Sequence, residues 1–385
     1  MTRLVAIDFF CGAGGMTNGL IQAGLHVIAG VDNEPLCAST YNQNKNTDGS
    51  TPEFICNDIF PKSQKRPNGE QHIIEERIEN LLRSYKRDKR YRKLKLIFAI
   101  CAPCQPFTKI TKIQLSSSGQ YKRDNDSDLL LTTINLIKRF RPAAIICENV
   151  EGISEGKNSV LQAFRRRLAH AGYSFDANIV NAADYGVPQN RKRTIGLAFD
   201  KSVYSGQFEV LTKNPSLRKY VSVRKTIGKL PPIAAGESHA KIPNHRARNL
   251  GELNLKRISC APPGLSNRYL IDTPYGDLSL ACHQRIEKKT GERSFSDTYT
   301  RMHGDEPAPT ITTKFISISN GRFGHYDTRQ NRAITPREAA LLQTFPRNYV
   351  FYPEDNLEFT ATLIGNAVPP KLAKFFGEYI AQTLE

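Results

Sequence analysis

A cysteine that directly follows a buried strand, in a turn stiffened by prolines, is a candidate nucleophile. This chain has one in Ile100-Cys101-Ala102-Pro103-Cys104-Gln105-Pro106-Phe107-Thr108. The apolar run 96–100 reads as a strand ending there, and ligands of open α/β sheets sit at the strands' carboxyl edge. A thiolate in that place suits covalent catalysis, given a lowered pKa or a basic neighbour. Two further strand ends carry complementary groups. Glu148-Asn149-Val150 closes an apolar run and offers a carboxyl that can hand over a proton when its surroundings are apolar. Gln189-Asn190-Arg191-Lys192-Arg193 leads into another run; Arg193 can meet developing negative charge, with Gln189 and Arg191 bracing the loop and the backbone. Each has a plainer alternative: an inert core cysteine, a strand-end ion pair, a surface charge cluster. Cys101 and Cys104 form a C-x-x-C pair. Cys11, Cys37, Cys56, Cys147, Cys260 and Cys282 make no second pair, so neither a zinc site nor any other metal is expected. Disulfides are not expected either.

A second constellation lies at the start of the chain. Asp8-Phe9-Phe10-Cys11-Gly12-Ala13-Gly14-Gly15 reads as a strand running through a glycine-rich turn into a helix. Such a turn lets backbone approach a ligand, and the helix N-terminus favours negative groups. The next strand ends in Val31-Asp32-Asn33-Glu34, where an acid can bind ribose hydroxyls, and Asn57-Asp58-Ile59 follows a third, where an acid suits an adenine amino group. A nicotinamide dinucleotide would use much the same plan.

These groups need a scaffold, and the first 200 residues supply one. LVAIDFF (4–10), VIAGVD (27–32), LIFAI (96–100), AAIICEN (143–149) and TIGLAF (194–199) read as buried parallel strands. GGMTNGLIQAG, DLLLTTINLIKRF and a stretch from His72 to Leu82 have helical spacing, so an α/β sheet with crossover helices is expected. From 201 to 331 the rhythm stops; the stretch is irregular and basic, with 21 Lys/Arg against 11 Asp/Glu, and reads as a second, smaller domain. Regularity returns at the end. Thr335, Pro336 and Glu338 have the spacing of a helix start with a capping box. Leu372, Phe375, Phe376, Tyr379 and Ile380 form one apolar helical face, expected to dock on the N-terminal sheet. The domains are therefore expected as 1–200 with 332–385, and 201–331.

Composition narrows the partner. The 385 residues carry a formal charge of +17, which suits a polyanion and implies salt-dependent binding. The segment 86–95 holds seven Lys/Arg and reads either as a solvated face or as a phosphate-contacting insertion. Mean hydropathy is −0.45, and no apolar run approaches the ~20 residues of a membrane helix. The opening residues lack the pattern of a signal peptide, so the chain is expected in the cytosol.

Taken in order, the motifs resemble those of the bacterial DNA (cytosine-5)-methyltransferases of restriction-modification systems, over nearly the whole chain. DFFCGAGG is similar to that family's cofactor loop, VDNEP to its ribose-binding acid and NDI to its adenine segment. APCQPF is similar to the Pro-Cys-Gln nucleophile motif, Glu148-Asn149-Val150 to the Glu-Asn-Val signature, and 189–193 to Gln-x-Arg-x-Arg. ITPREAALLQTFP (334–346) and Ile364-Gly365-Asn366-Ala367-Val368-Pro369-Pro370 resemble the closing motifs. Cys101-Ala102 departs from the Gly-Pro or Pro-Pro of many members and leaves Pro-Cys-Gln intact.

The resemblance implies a Rossmann-like S-adenosylmethionine-dependent methyltransferase sheet with an irregular target recognition domain at 201–331. It implies cofactor contacts from Phe10, Gly12, Gly14, Gly15, Asp32, Glu34, Asp58, Ile59, Pro103, Leu129 and Asn366. Asn366 has a second reading as a helix-entry cap before Pro369. Catalysis would fall to Cys104, Glu148, Arg191 and Arg193, and DNA contacts to Gln105, Gln189, Thr312 and Thr313. Cys104 would add to C6 of a flipped-out cytosine, Glu148 would serve N3 and the N4 amino group, and Arg193 would bind O2. Residues 105–128 would be a mobile loop closing over the base. Pro309-Thr310-Ile311-Thr312-Thr313 resembles a motif of recognition domains, whereas Gly321-Arg322-Phe323-Gly324-His325 is either a groove-reaching turn or a plain hairpin. Double-stranded DNA, a paired restriction endonuclease and action as a monomer are the expected partnerships. An RNA cytosine-5 methyltransferase, a non-catalytic DNA-binding regulator and a nicotinamide-dependent reductase compete. The large basic domain speaks against the first, Cys104, Glu148 and Arg193 together against the second, and the Pro-Cys-Gln motif against the third.

Overall fold

Seven strands form one sheet in the order β3-β2-β1-β4-β5-β7-β6. They are β1 (Arg3–Phe9), β2 (His26–Asp32), β3 (Glu53–Cys56), β4 (Leu94–Ile100), β5 (Ala144–Val150), β6 (Tyr173–Asn181) and β7 (Lys192–Asp200). The structure, a computed structural model, describes residues 3–103, 117–154, 159–282, 284–285 and 295–385, without the side chains of 117–128. Strands β3, β2, β1, β4 and β5 pair in parallel. The order reverses between β1 and β4, the topological switch point at which open sheets bind ligands. The glycine turn follows β1 and the Cys101–Pro103 turn follows β4, and the Cys101 N–H donates to Phe9 O at 3.2 Å.

One expectation about the sheet is corrected. Strand β7 runs antiparallel to both β5 and β6. A parallel pairing needs a crossover of a dozen or more residues, and only residues 182–191, with a single 3-10 turn, join β6 to β7. The run TIGLAF is buried throughout, and a fully buried run looks the same in either direction. Strand β6 was not expected. Its sequence YSFDANIVN is mostly half-exposed, the pattern of an edge.

One face of the sheet is covered by α3 (Gln71–Arg87), α4 (Ser117–Phe140) and α5 (Val160–His170). Ile74, Ile78, Ile134, Ile137, Phe164 and Leu168 pack there on Ile7, Phe9, Phe98 and Ile145. Helix α4 starts at Ser117, so half of the expected 105–128 loop is helical. On the other face lies α1 (Gly15–Gln22), preceding the short α2 (Cys37–Tyr41). The C-terminal helix (Pro370–Leu384) docks on α1 rather than on bare sheet: a Cβ at Gly19 would lie 2.4 Å from both Ala373 Cβ and Pro370 O. Of its expected face Leu372, Phe376 and Ile380 are buried, and Phe375 stands edge-on to Tyr185 at 4.9 Å. The basic run 86–95 ends α3 and precedes the amino end of β4, the sheet edge opposite the glycine turn; only its Tyr91 is buried.

The chain divides into two compact units, one of residues 1–185, 192–217 and 368–385, the other of 186–191 and 218–367. The second unit therefore extends beyond the 201–331 stretch. Residues 201–217 stay with the sheet because Phe208 packs on Phe199 at 4.7 Å and the Val210 N–H donates to Asp176 at 2.7 Å. Helices of the second unit include α6 (Val223–Ile227), α7 (Glu252–Ser259), α8 (Pro336–Leu342) and α9 (Leu357–Asn366); the C-terminal helix is α10. The expected capping box opens α8, with Thr335 Oγ1 accepting from the Glu338 N–H and the Glu338 carboxylate from that of Thr335.

Candidate active site

The glycine turn bends through a run of left-handed backbone: Phe10, Gly12 and Gly14 have φ of 61°, 46° and 77°. At Gly12 a Cβ would meet nothing within 4 Å, so open space adjoins the backbone there. Gly14 caps α1 with no side chain of its own. Asp8 does this work from β1, its Oδ2 accepting from the Thr17 N–H at 3.0 Å and Thr17 Oγ1 at 2.7 Å. Asp8 is fully buried, and burial pushes its carboxyl up to about 7. Asp32 ties two loops together: Oδ2 accepts from the Gly12 N–H at 2.9 Å and Oδ1 from the Glu34 N–H at 3.0 Å. Burial raises the Asp32 pKa, against these N–H donors. Glu34 is half-buried beside it and Gly15 is buried as the first residue of α1.

The adenine segment is held by residues that the sequence did not single out. Glu70 Oε2 accepts from Asn57 Nδ2 at 3.0 Å and the Asp58 N–H at 2.9 Å, and these bonds hold its carboxyl below the usual range. Gln71, buried, donates from Nε2 to Ile59 O at 2.8 Å. Asp58 is half-buried and Ile59 buried. An open glycine cradle, a helix N-terminus and carboxylates with spare lone pairs fit a nucleoside sulfonium such as S-adenosylmethionine. Leu129 packs half-buried against the sheet core, and Pro103 is exposed.

At the same edge, Glu148 on β5 faces Arg193 on β7. Glu148 is opposite Ile195 in register, which makes Arg193 its diagonal neighbour on one face of the sheet. Arg193 Nε lies 3.0 Å from Glu148 Oε1, with Glu148 7% exposed. Burial lowers the Arg193 pKa while Glu148 opposes that. Asn149 points the other way and donates from Nδ2 to Ala102 O at 3.0 Å, pinning the turn that leads into Cys104. Cys104 and Gln105 lie outside the described residues. The neighbouring thiols are held protonated: burial, with Asp8 and Glu148 nearby, pushes Cys101 well up, and burial pushes Cys147 up to about 12.

Two of the expected site residues, also read as bracing the loop and the backbone, lie within the second unit. Gln189, expected at DNA, is fully buried; Nε2 donates to Gln343 Oε1 and Oε1 accepts from the Ile311 N–H, both at 2.8 Å. Arg191, expected in catalysis, is 1% exposed and donates to Ile311 O and Gly365 O at 3.0 Å each. Both brace the 309–313 segment, as does Thr310 Oγ1, which donates to Asn190 O at 2.7 Å. Gly365 allows the close approach, since a Cβ there would lie 2.5 Å from Thr312 C and Thr313 N. Thr312 and Thr313 are half-buried. Asn366 is exposed and ends α9; the N-cap of α10 is Pro369, so Asn366 is no helix-entry cap. Among the described residues no group of three or more His, Cys, Asp and Glu could hold a metal ion, and no helix is long and apolar enough to cross a membrane.

Known proteins agree with this arrangement. The family model for the C-5 cytosine-specific DNA methylases matches residues 4–382. The type II methylase M.HgiDII of Herpetosiphon aurantiacus is 35% identical over 98% of this chain and 95% of its own length. The type II methyltransferase M1.HphI of Haemophilus parahaemolyticus is 28% identical over 98% and 86%. Among solved structures, the Entamoeba histolytica methyltransferase EhMeth superposes over all of both chains, with a TM-score of 0.61 at 15% identity, which supports the fold. By the match of its residues 4–382 and its 35% identity to a type II methylase, the chain, with the glycine turn, the Cys101–Pro103 turn and the Glu148–Arg193 pair at one sheet edge, belongs to the C-5 cytosine-specific DNA methylase family and is a DNA (cytosine-5)-methyltransferase of the type II modification kind.

Proposed function

We propose that the protein flips a cytosine out of a specific duplex sequence and methylates its C5 through a covalent bond between Cys104 and C6. The observation that carries this reading is the Glu148–Arg193 pair, placed beside the turn that Asn149 anchors just before Cys104. C5 of cytosine is a weak nucleophile. Thiolate addition at C6 breaks the aromaticity and makes C5 enamine-like. Charge develops toward N3, where Glu148 would donate once it holds a proton, and at O2, where Arg193 donates. S-adenosylmethionine, when bound, supplies the methyl group. Gly12, Gly14, Asp32, Glu34, Asp58 and Ile59 would hold it, with Phe10, Gly15, Pro103, Leu129 and Asn366 completing its surroundings. Loss of the C5 proton to a base then lets Cys104 leave.

Residues 201–331 read the target, with Gln105, Thr312 and Thr313 contacting DNA and Gln189 and Arg191 bracing that surface from within. The protein works as a monomer in the bacterial cytosol and protects DNA from a cognate restriction endonuclease. Bisulfite sequencing of a plasmid from expressing cells identifies the target and the modified cytosine. A duplex with 5-fluorocytosine at that position then tests the mechanism. Fluorine cannot leave as a cation, so elimination is blocked and the adduct should survive denaturing electrophoresis, only with S-adenosylmethionine present. No trapped species on proven substrate DNA would overturn the covalent step, and trapping of RNA alone would reassign the substrate.

A further inference from the structure

Phe295 is the most exposed large apolar residue described, at 64%, and its backbone φ is +56°. A bulky residue in the left-handed region is strained, and strain of this kind persists only where the surroundings over-determine it. Here they do. The Phe295 carbonyl accepts from Asn267 Nδ2 at 3.0 Å, the Thr298 N–H at 3.1 Å and Thr298 Oγ1 at 3.0 Å. Asn267 is fully buried, and its own N–H donates to Ser296 O at 2.9 Å.

A second turn brings Leu265, 59% exposed. Arg322 joins the two turns, donating from Nη1 to Leu265 O at 3.2 Å and from Nη2 to Asp297 Oδ1 at 2.5 Å. The glycine-flexed segment 321–325 is thus a support: Phe323 and His325 are buried, and Arg322 is the strut. Burial gives Phe295 little here and its conformation is unfavourable, so fold stability does not account for it.

We propose that Phe295, with Leu265 beside it, is an apolar contact with the bases of the target duplex. Apolar side chains read thymine methyl groups or wedge at base steps. The occupant is DNA because the surrounding stretch 201–331 is strongly basic, with 21 Lys/Arg against 11 Asp/Glu, and Arg268, next to the Leu265 turn, is exposed. The proposal rests on the reading of that stretch as the recognition region.

Phe295→Gly tests it, because the two roles predict opposite signs. Glycine adopts positive φ freely, so the melting midpoint should hold or rise. The KM for the target duplex should rise tenfold or more, and discrimination against a one-base variant should fall. The KM for S-adenosylmethionine should stay within twofold, and Leu265→Ala should move the DNA parameters the same way by less. Unchanged DNA parameters, whether the midpoint falls or holds, would overturn the proposal. A chimera with residues 201–331 from a relative of different specificity separates the two levels. If it transfers specificity while Phe295→Gly is indifferent, this contact is wrong and the recognition region stands. If it keeps the old specificity, the recognition region falls and the contact with it.

Discussion

Beneath the sheet, Phe9, Phe98, Ile134 and Phe164 pack carbon against carbon. In the second unit comparable depth is occupied by guanidinium groups. Arg301, 0% exposed, donates to the carbonyls of Ala261, Ile258, His325, Asp327 and Gln330 and to Asn331 Oδ1. Arg332, also 0% exposed, pairs with Glu338 at 2.7 Å and donates to Ile233 O and Ala333 O. Apolar residues gather there too, in a cluster around Leu250, Ile258, Leu270 and Tyr299 and in the ring contacts of Phe345, Tyr349 and Phe351. The sheet is held by area removed from water. The loop-rich unit adds to its own apolar burial charge-assisted bonds that satisfy carbonyls which no helix or strand pairs. Such a frame can present irregular turns like 264–267 and 295–298 rigidly.

The largest contrast between the units is expected in catalysis. Cys104→Ser should reduce methyl transfer by at least ~1000-fold, since a hydroxyl ionises far less than a thiol near neutral pH. Fold, S-adenosylmethionine binding and DNA binding should persist. Activity within tenfold of wild type, measured by incorporation of labelled methyl groups, would break the covalent mechanism.

Arg301→Lys tests the frame itself. Lysine offers three donors on a point charge where arginine offers five in a fixed fork. Several buried carbonyls would lose partners worth about 1.5–3 kcal/mol each. Burial already pushes the Arg301 pKa down to about 10, and lysine starts lower, so a neutral amine becomes accessible. Chemical denaturation should show a loss of roughly 3 kcal/mol or more, against about 0.5–1.5 kcal/mol for Ile134→Val under the sheet. Equal losses would show that the two units are held alike.

The same contrast explains what could be read from the residues. Continuous apolar runs announced β1, β2, β4 and β5, and Thr335 with Glu338 announced α8, because periodicity and capping are local. The direction of β7 is set by the length of the 182–191 connection, and β6 alternates too weakly to register. Gln189 and Arg191 were read from the Gln-x-Arg-x-Arg resemblance; which partners they brace is set by tertiary contacts with Ile311, Gln343 and Gly365 that no local pattern announces. Asp8 and Asn149 stood inside legible motifs, whereas Glu70 reaches Asn57 and Asp58 from a helix start that carries no signal of its own.

A smaller effect should appear in the pH dependence of stability. Burial raises the Asp8 carboxyl from 3.8 to about 7 in the folded chain. Between those values the folded state binds more protons than the unfolded one, so this group lowers stability as pH rises from about 4 to 7. Asp8→Asn keeps an oxygen for the Thr17 N–H and removes the titration. Urea midpoints of the variant should gain on wild type between pH 5 and pH 8. Parallel profiles would show that Asp8 keeps its charge.

The smallest effect should come from Cys101→Ser, three residues from Cys104, the proposed nucleophile. The two cysteines share a C-x-x-C motif, yet a thiol serves as a nucleophile only through its thiolate. Cys101 sits where burial, then Asp8 and Glu148, all disfavour that charge, and its N–H is tied to Phe9 O. Serine occupies slightly less volume and is no more acidic, so kcat and both KM values should stay within about threefold, a barrier change under ~1 kcal/mol. The fluorocytosine complex should form at full yield. A dead Cys101→Ser enzyme that still bound S-adenosylmethionine and DNA would make the pair, rather than Cys104 alone, the reactive unit. Elemental analysis of the wild-type protein would then decide whether the two sulfurs act through a metal or as a dithiol.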